Sequence, residues 1–170
     1  MIGIRRCSSR TALVSAAVLI FVAGCSMGDG DPPPTSSGPP MVIFDRSGTQ
    51  QAAFEAPDGN INCEFLAGSG SDPTGTVRCD ISDKTWQPPA KPASCQGDWG
   101  EGLGLADRAT MLCITDTVRG QSSSAALPSG TAIRFAPFTC SNGPAGMNCV
   151  NTVTGSGFLI GQERYELRNP

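Results

Sequence analysis

Cysteines and carboxylates are the residues of this chain that could do chemistry, because its 170 residues include no histidine. Without histidine, Ser-His-Asp sites, Cys-His sites and histidine-ligated metal centres are excluded. The eight cysteines contain no Cys-x-x-Cys pair, so neither a thioredoxin-type centre nor a zinc ribbon is indicated. We therefore predict no metal site and no cofactor.

Cys25 has the most distinctive setting of the eight cysteines. It ends Val22-Ala23-Gly24-Cys25, which closes an apolar run that follows three arginines in the first ten residues. A basic start, a short apolar middle and small residues before the cut describe a secretory signal. A cysteine at the cut describes the lipoprotein form, and residues 11–23 are shorter than the about 20 that a spanning helix needs. We predict cleavage after residue 24, a diacylglyceryl thioether on Cys25, and anchoring to the extracytoplasmic face of the cell membrane.

A second chemical candidate is Gly97-Asp98-Trp99-Gly100-Glu101. Two carboxylates beside an exposed tryptophan would suit sugar binding or glycoside hydrolysis. The structural alternative is that Trp99 packs against a disulfide, and two acids in a glycine-rich loop need not face each other. We keep Trp99, Asp98 and Glu101 as candidate ligand contacts and assign no catalytic residue.

The charge balance narrows the range of partners. Removing residues 1–24 takes away three arginines, which leaves nine basic against fifteen acidic residues and a net charge of −6. Nucleic-acid binding needs concentrated lysine and arginine, so this class of partner is excluded. The acidic balance is also a poor match for anionic lipid headgroups.

The cysteines that remain after cleavage and lipidation form an even set. In an exported chain such a set predicts a disulfide framework, and six cysteines allow 15 pairings. The six are Cys63, Cys79, Cys95, Cys113, Cys140 and Cys149.

Composition divides the chain into three parts. Residues 1–24 are the predicted signal peptide, residues 25–45 a Pro/Gly/Ser-rich tether that starts at the lipidated cysteine, and residues 46–170 the folded domain. Fifteen tether residues in the polyproline form would reach roughly 45 Å. Thr35, Ser36 and Ser37 lie among prolines, a composition typical of O-glycosylated stalks. Met41-Val42-Ile43-Phe44 could form a first edge strand.

Alternation of apolar residues predicts a hairpin over residues 60–81. With Cys63 opposite Cys79, Ile61 lies opposite Ile81 on the inner face, and Glu64 lies opposite Arg78 on the outer face as an ion pair. Directly opposed residues lie about 4.5 Å apart at Cα in a non-hydrogen-bonded pair, within disulfide reach. This register predicts the Cys63–Cys79 bond.

A similar but weaker hairpin surrounds Asn142-Gly143-Pro144-Ala145-Gly146. It places Cys140 opposite Cys149, although Phe138 would then meet Asn151. Cys95 and Cys113 pair by elimination, with a loop around Trp99 and two strand-like runs between them. Further strands are expected at residues 131–135, 157–160 and 165–168. Helical periodicity is nearly absent, so we predict an all-β fold, a small antiparallel sandwich or partly open barrel held by three disulfides.

Several short motifs resemble those of an uncharacterised family of secreted and lipid-anchored actinobacterial domains. Residues 54–63 are similar to its opening F-x-x-P-S-G-N-I-x-C, with Asp58 in place of the serine. Leu127-Pro128-Ser129-Gly130 and Phe138-Thr139-Cys140-Ser141 follow in the family order, and Ser156 stands where the family often has histidine. The resemblance covers residues 54–167 and implies architecture and location, because the family has no established activity.

These observations predict a lipid-anchored envelope protein, not an enzyme, whose domain binds an envelope protein or glycan. Two alternatives stay open. One is a carboxylate-dependent cell-wall hydrolase, and the other is a protease inhibitor that displays the loop at residues 122–126. Nothing in the sequence indicates an oligomeric state.

Overall fold

Two six-stranded sheets pack face to face in the computed structural model, which describes residues 41–69, 74–120 and 124–170. These ranges contain no helix, and the sheets form a sandwich that is not closed, which confirms the all-β prediction. The predicted signal, Cys25, residues 26–40 of the tether and the candidate glycosylation sites lie outside the described residues, whereas tether residues 41–45 are described. The strands are β1 (Ile43–Asp45), β2 (Gln51–Glu55), β3 (Ile61–Leu66), β4 (Thr76–Ile81), β5 (Asp98–Leu105), β6 (Ala109–Ile114), β7 (Ala125–Ala126), β8 (Ala132–Phe135), β9 (Phe138–Gly143), β10 (Gly146–Asn151), β11 (Gly157–Ile160) and β12 (Tyr165–Arg168).

The strand order explains how the chain builds each layer. The first sheet runs β1-β8-β9-β10-β11-β12 and the second β6-β5-β4-β3-β2-β7. Neighbours pair antiparallel except at one edge of each sheet, where β1 pairs parallel with β8 and β7 pairs parallel with β2. The edge strand expected at residues 41–44 is therefore present as β1, which begins before residue 46.

The hairpin β3–β4 has the register that the sequence predicts. Cys63 lies opposite Cys79 and Ile61 opposite Ile81, and the two cysteines are bonded with their Cα atoms 4.0 Å apart. The outer-face ion pair is the part that differs. Glu64 lies opposite Arg78, but Arg78 bonds Asp80 and Asp116, while Glu64 accepts a hydrogen bond from Gln51.

The other two predicted disulfides, Cys140–Cys149 and Cys95–Cys113, are also present. Phe138 does lie opposite Asn151 in the β9–β10 hairpin, as the weaker register requires. Asn151 is fully buried, but its Nδ2 donates to the carbonyl of Ala106 at 2.8 Å and its Oδ1 accepts from the N–H of Val153 at 3.0 Å. A buried amide with its hydrogen bonds made is tolerated, so the polar residue does not break the face pattern.

The segment around Trp99 is a strand and not the loop that its glycines predict. β5 begins at Asp98, and a bulge between Trp99 and Leu103 absorbs the irregular part. Gly100 has φ +85° there, a conformation that side chains disfavour. A glycine at a bulge lets a strand continue past a bend, which local composition does not reveal.

The core lies between the sheets and is centred on stacked phenylalanines. Phe65 stacks on Phe54 at 5.0 Å and on Phe135 at 5.2 Å between ring centroids. Phe54 and Phe65 come from the second sheet, and Phe135 comes from the first, so the rings join the two layers. This core and the disulfides make a frame on which the turns at the strand ends are held.

Candidate functional site

An open concavity lies at one end of the sandwich, where three hairpin turns meet. They are the β2–β3 turn at residues 56–60, the β9–β10 turn at residues 143–146, and the β11–β12 turn at residues 161–164. Together with Ser129 they line an open cleft of about 570 Å³, which we call the turn-end cleft. Both sheets contribute to it, so only the folded sandwich brings these turns together.

Turn chemistry explains the shape of the first wall. Asp58 Oδ1 accepts the N–H of Asn60 at 3.0 Å, and Gly59, at φ +70°, donates its N–H to the carbonyl of Ala56 at 2.8 Å. Aspartate followed by glycine is suited to such a turn because its side chain bonds its own backbone and glycine adopts positive φ. The Pro57-Asp58-Gly59-Asn60 motif is thus a tight turn at the cleft rim.

A buried amide holds the second wall. Asn142 Nδ2 donates to the carbonyl of Leu127 at 2.8 Å, and the Asn142 carbonyl accepts the N–H of Gly130 at 2.8 Å. These bonds tie the segment that carries Ser129 to β9. At the next turn, Gly146 is required because a Cβ there would lie 2.2 Å from the carbonyl oxygen of Ile160.

Residues 82–86, which we call the strap, are hydrogen-bonded to two of the cleft turns. Asn60 and Asp83 exchange hydrogen bonds: Asn60 Nδ2 donates to the Asp83 carbonyl at 3.0 Å, and the Asp83 N–H donates to Asn60 Oδ1 at 2.7 Å. At the other end of the strap, Thr85 N–H donates to Gln162 O and Trp86 Nε1 donates to Gly161 O, both at 2.8 Å. The strap therefore links the β2–β3 turn to the β11–β12 turn.

Glu101 supports the strap through ion pairs. Its carboxylate bonds Lys84 Nζ at 2.7 Å and lies 3.5 Å from Arg119 Nη2. Lys84 Nζ also lies 5.4 Å from the ring centroid of Trp86, and that ring packs on Tyr165 with centroids 4.6 Å apart. An ammonium held between a carboxylate and an aromatic face gains from both.

Trp99 is held in a structural setting, separate from the cleft lining. Its Nε1 donates to the carbonyl of Pro89 at 2.9 Å, and it lies opposite Cys113, which bonds Cys95. The proline-rich stretch after the strap therefore supplies the acceptor for the indole N–H. Asp98, the third candidate ligand contact, is exposed at the start of β5. The structure thus divides the three candidates: Trp99 and Glu101 have structural partners, and none of the three lines the turn-end cleft.

The side chains that reach the cleft rim can donate and accept hydrogen bonds in several ways. Ser129, Gln162, Glu163 and Arg164 are exposed there, and Arg164 Nε donates to Glu166 at 3.0 Å. The sequence offers no histidine to activate a nucleophile, and the described ranges contain no group of three acids or cysteines that could hold a metal ion. The arrangement offers hydrogen-bonding groups and charges at the rim of the cleft. Sequence reasoning missed the cleft because its turns lie far apart along the chain.

A second polar cluster lies on the outer face of the second sheet, beside a groove of about 490 Å³. Asp80 is fully buried there and accepts from Arg78 Nε at 2.8 Å, Arg78 Nη2 at 2.9 Å, Thr117 Oγ1 at 3.2 Å and Val118 N–H at 3.1 Å. Burial acts to lower the pKa of Arg78, but the bonds and charges of Asp80 and Asp116 outweigh it and raise that pKa. The hydrogen bond and charge of Arg78 hold the pKa of Asp116 below its ordinary 3.8. This cluster fastens the segment after β6 onto the sheet.

Comparison of the chain with protein-family models, with curated proteins and with solved structures finds no match. Within the described ranges, no helix has the length and apolar character to cross a membrane.

Proposed function

We propose that the chain is a lipid-anchored protein of the extracytoplasmic membrane face, whose domain is a non-enzymatic module that binds an envelope protein or glycan in the turn-end cleft. The observation that carries the binding role is the cleft itself. Turns of both sheets form it, and the strap holds two of them through four hydrogen bonds of 2.7–3.0 Å. A site whose walls are held before the ligand arrives loses less freedom on binding, which favours affinity.

The location rests on two features of the cysteines. Val22-Ala23-Gly24-Cys25 describes a lipid attachment site, and the other six domain cysteines form three disulfides. Disulfides persist in oxidising compartments and are rare in the cytosol. Both features therefore support a location of the domain on the extracytoplasmic side of the membrane.

Anchoring is tested by the intact mass of the mature chain from the membrane fraction. We expect a chain that begins at Cys25 with a diacylglyceryl group, and we expect Cys25→Ala to give a chain that is uncleaved or released. A mature chain that starts elsewhere and carries no lipid would contradict the anchor.

The binding site is tested by photo-cross-linking of the full chain in cells. A photoreactive residue replaces Ala145, in the cleft, or Val153 as the control. Val153 follows β10 at the opposite end of the sandwich, and its side chain is 81% exposed. We expect a discrete adduct from position 145 and none from position 153, and protease or glycosidase digestion shows whether the partner is protein or glycan. The same adduct from both positions would refute the cleft as the site.

A further inference from the structure

The edge strand β1 has an apolar surface that the sandwich does not cover. Met41, Val42, Ile43 and Phe44 are 53%, 57%, 50% and 42% exposed, so both faces of the strand are open to solvent. Phe44 lies beside Ile133, whose side chain is in the core, so Phe44 is on the inner face of its sheet. The opposite sheet ends in β7, which has only two residues, both exposed, and leaves this face open.

The other edge of the same sheet shows how this protein protects an edge strand. β12 has Glu166 and Arg168, and Arg164 and Arg168 both bond the Glu166 carboxylate, at 3.0 and 3.4 Å. Charged side chains on an edge oppose association with apolar surfaces and with other strands. β1 has one charged residue, Asp45, at its end, and four consecutive apolar residues lead to it. The contrast indicates that β1 is a contact surface.

The sequence position and the size of β1 decide what covers it. β1 pairs over only three residues. A stable protein interface buries roughly 1,200 Å² or more, so the contact between two copies joined by this strand alone would be too small. The preceding segment, residues 26–40, is rich in proline, which lacks the N–H that an added strand needs. A contact of this size is effective when another attachment already holds the chain close.

The lipid surface to which Cys25 is attached meets that condition. β1 is the first strand of the domain after the tether, and the exposed residues Arg46 and Arg134 lie beside its end, where Arg46 N–H donates to Arg134 O at 2.8 Å. The apolar side chains match the apolar layer of a membrane interface, and the two arginines, which outnumber the neighbouring Asp45, match its phosphate layer. We propose that residues 41–44 rest in the lipid surface and seat the domain on the membrane with β1 lowermost. This inference rests on the proposed lipid anchor.

The test compares the two edges of one sheet in the full, lipidated chain, reconstituted in phosphatidylcholine–phosphatidylglycerol vesicles. p-Benzoylphenylalanine replaces Phe44 in one variant and Leu167 of β12, which is 39% exposed, in the other. Five strand spacings of about 4.8 Å place β12 roughly 24 Å from β1. A domain seated on β1 gives lipid adducts at position 44 and none at 167. A domain that turns freely on its roughly 45 Å tether gives lipid adducts equally at both.

A second variant adds Ile43→Asp to the chain that has p-benzoylphenylalanine at position 44, which places a charge on β1. We expect it to abolish the lipid adduct while peptide mapping still finds all three disulfides. Equal adducts at positions 44 and 167, no lipid adduct at 44, or a protein adduct at 44 overturns the proposal.

The mass of the mature chain distinguishes a failure of this proposal from a failure of the proposed lipid anchor. An unlipidated chain that still gives lipid adducts at position 44 supports the β1 contact and refutes the anchor alone. An unlipidated chain without them refutes both.

Discussion

The two carboxylates that share Arg78 provide the sharpest test of the packing described above. Asp80 has a fully buried side chain, whereas the Asp116 side chain is 78% exposed. Asp80→Asn keeps the shape of the side chain and removes its charge. Asp116→Asn makes the same chemical change in an exposed aspartate that bonds the same arginine. Comparison of the two variants therefore isolates the effect of burial.

The expected cost at Asp80 follows from its four donors. An amide has one acceptor oxygen and one donating nitrogen, and the nitrogen would face N–H or O–H groups that the carboxylate now satisfies. A nitrogen at the Oδ1 position loses the bond from Arg78 Nε, and a nitrogen at the Oδ2 position loses the other three bonds. In either orientation Arg78 loses the charge of its buried partner, and breaking a buried ion pair costs roughly 3–5 kcal/mol.

Urea unfolding of the oxidised protein measures both variants. We expect Asp80→Asn to lower the free energy of unfolding by about 3–5 kcal/mol with an unchanged denaturant slope. Asp116→Asn should give a much smaller loss, because solvent screens an exposed pair. Equal effects, or no loss at Asp80, would refute the account of a buried carboxylate that fastens the segment after β6.

Four further predictions follow from the same structure. Removing Cys63 and Cys79 should destabilise the domain by about 3 kcal/mol, and removing Cys140 and Cys149 by a few tenths less, since the closed loops have sequence separations of 16 and 9; thermal unfolding without reductant measures both. Glu101→Gln should lower the melting temperature because Lys84 loses its partner, whereas Asp98→Asn should change neither stability nor the cleft adduct; a wall-degrading activity lost in Asp98→Asn would favour the hydrolase. Asn60→Ala should reduce the cleft adduct at position 145 while all three disulfides stay intact, and an unchanged adduct would mean that the strap does not shape the site. The pKa of Asp116 measured by NMR should lie below 3.8, because Arg78 stabilises its charged form. Its contribution to stability is then present above pH 3.8 and is lost as the pH falls through the folded pKa. The difference in stability between Asp116→Asn and the parent chain should shrink over that range.

The features predicted from sequence are those that depend on neighbours along the chain. Alternation over residues 60–81 and the position of two cysteines were sufficient for the β3–β4 register, since a one-residue slip would turn every apolar side chain outward. The strands expected at residues 157–160 and 165–168 are present as β11 and β12. These elements are local hairpins, in which the partner strand is the next one in sequence.

Features that depend on distant segments could not be predicted in this way. Arg78 bonds Asp116, 38 residues away, and not the Glu64 that lies directly opposite it. The glycines around Trp99 predict a loop, and nothing nearby in sequence indicates that its indole N–H bonds the carbonyl of Pro89, ten residues earlier. The turn-end cleft joins residues 56–60 to residues 161–164 across two sheets, and no spacing in the sequence indicates that contact.

The two proposals constrain each other through geometry. The turn-end cleft lies at the ends of the strands. The proposed membrane contact, β1, is an edge strand and runs along the side of its sheet. If β1 rests along the membrane, the strand axes run close to the membrane plane, with a tilt set by the twist of the sheet. The cleft then opens sideways along the membrane surface, and its nearest partners are other components held at that surface. Without β1 seating, a tether of roughly 45 Å would let the cleft face any direction, so Ile43→Asp should broaden the set of partners captured at position 145 while Leu167→Asp should not.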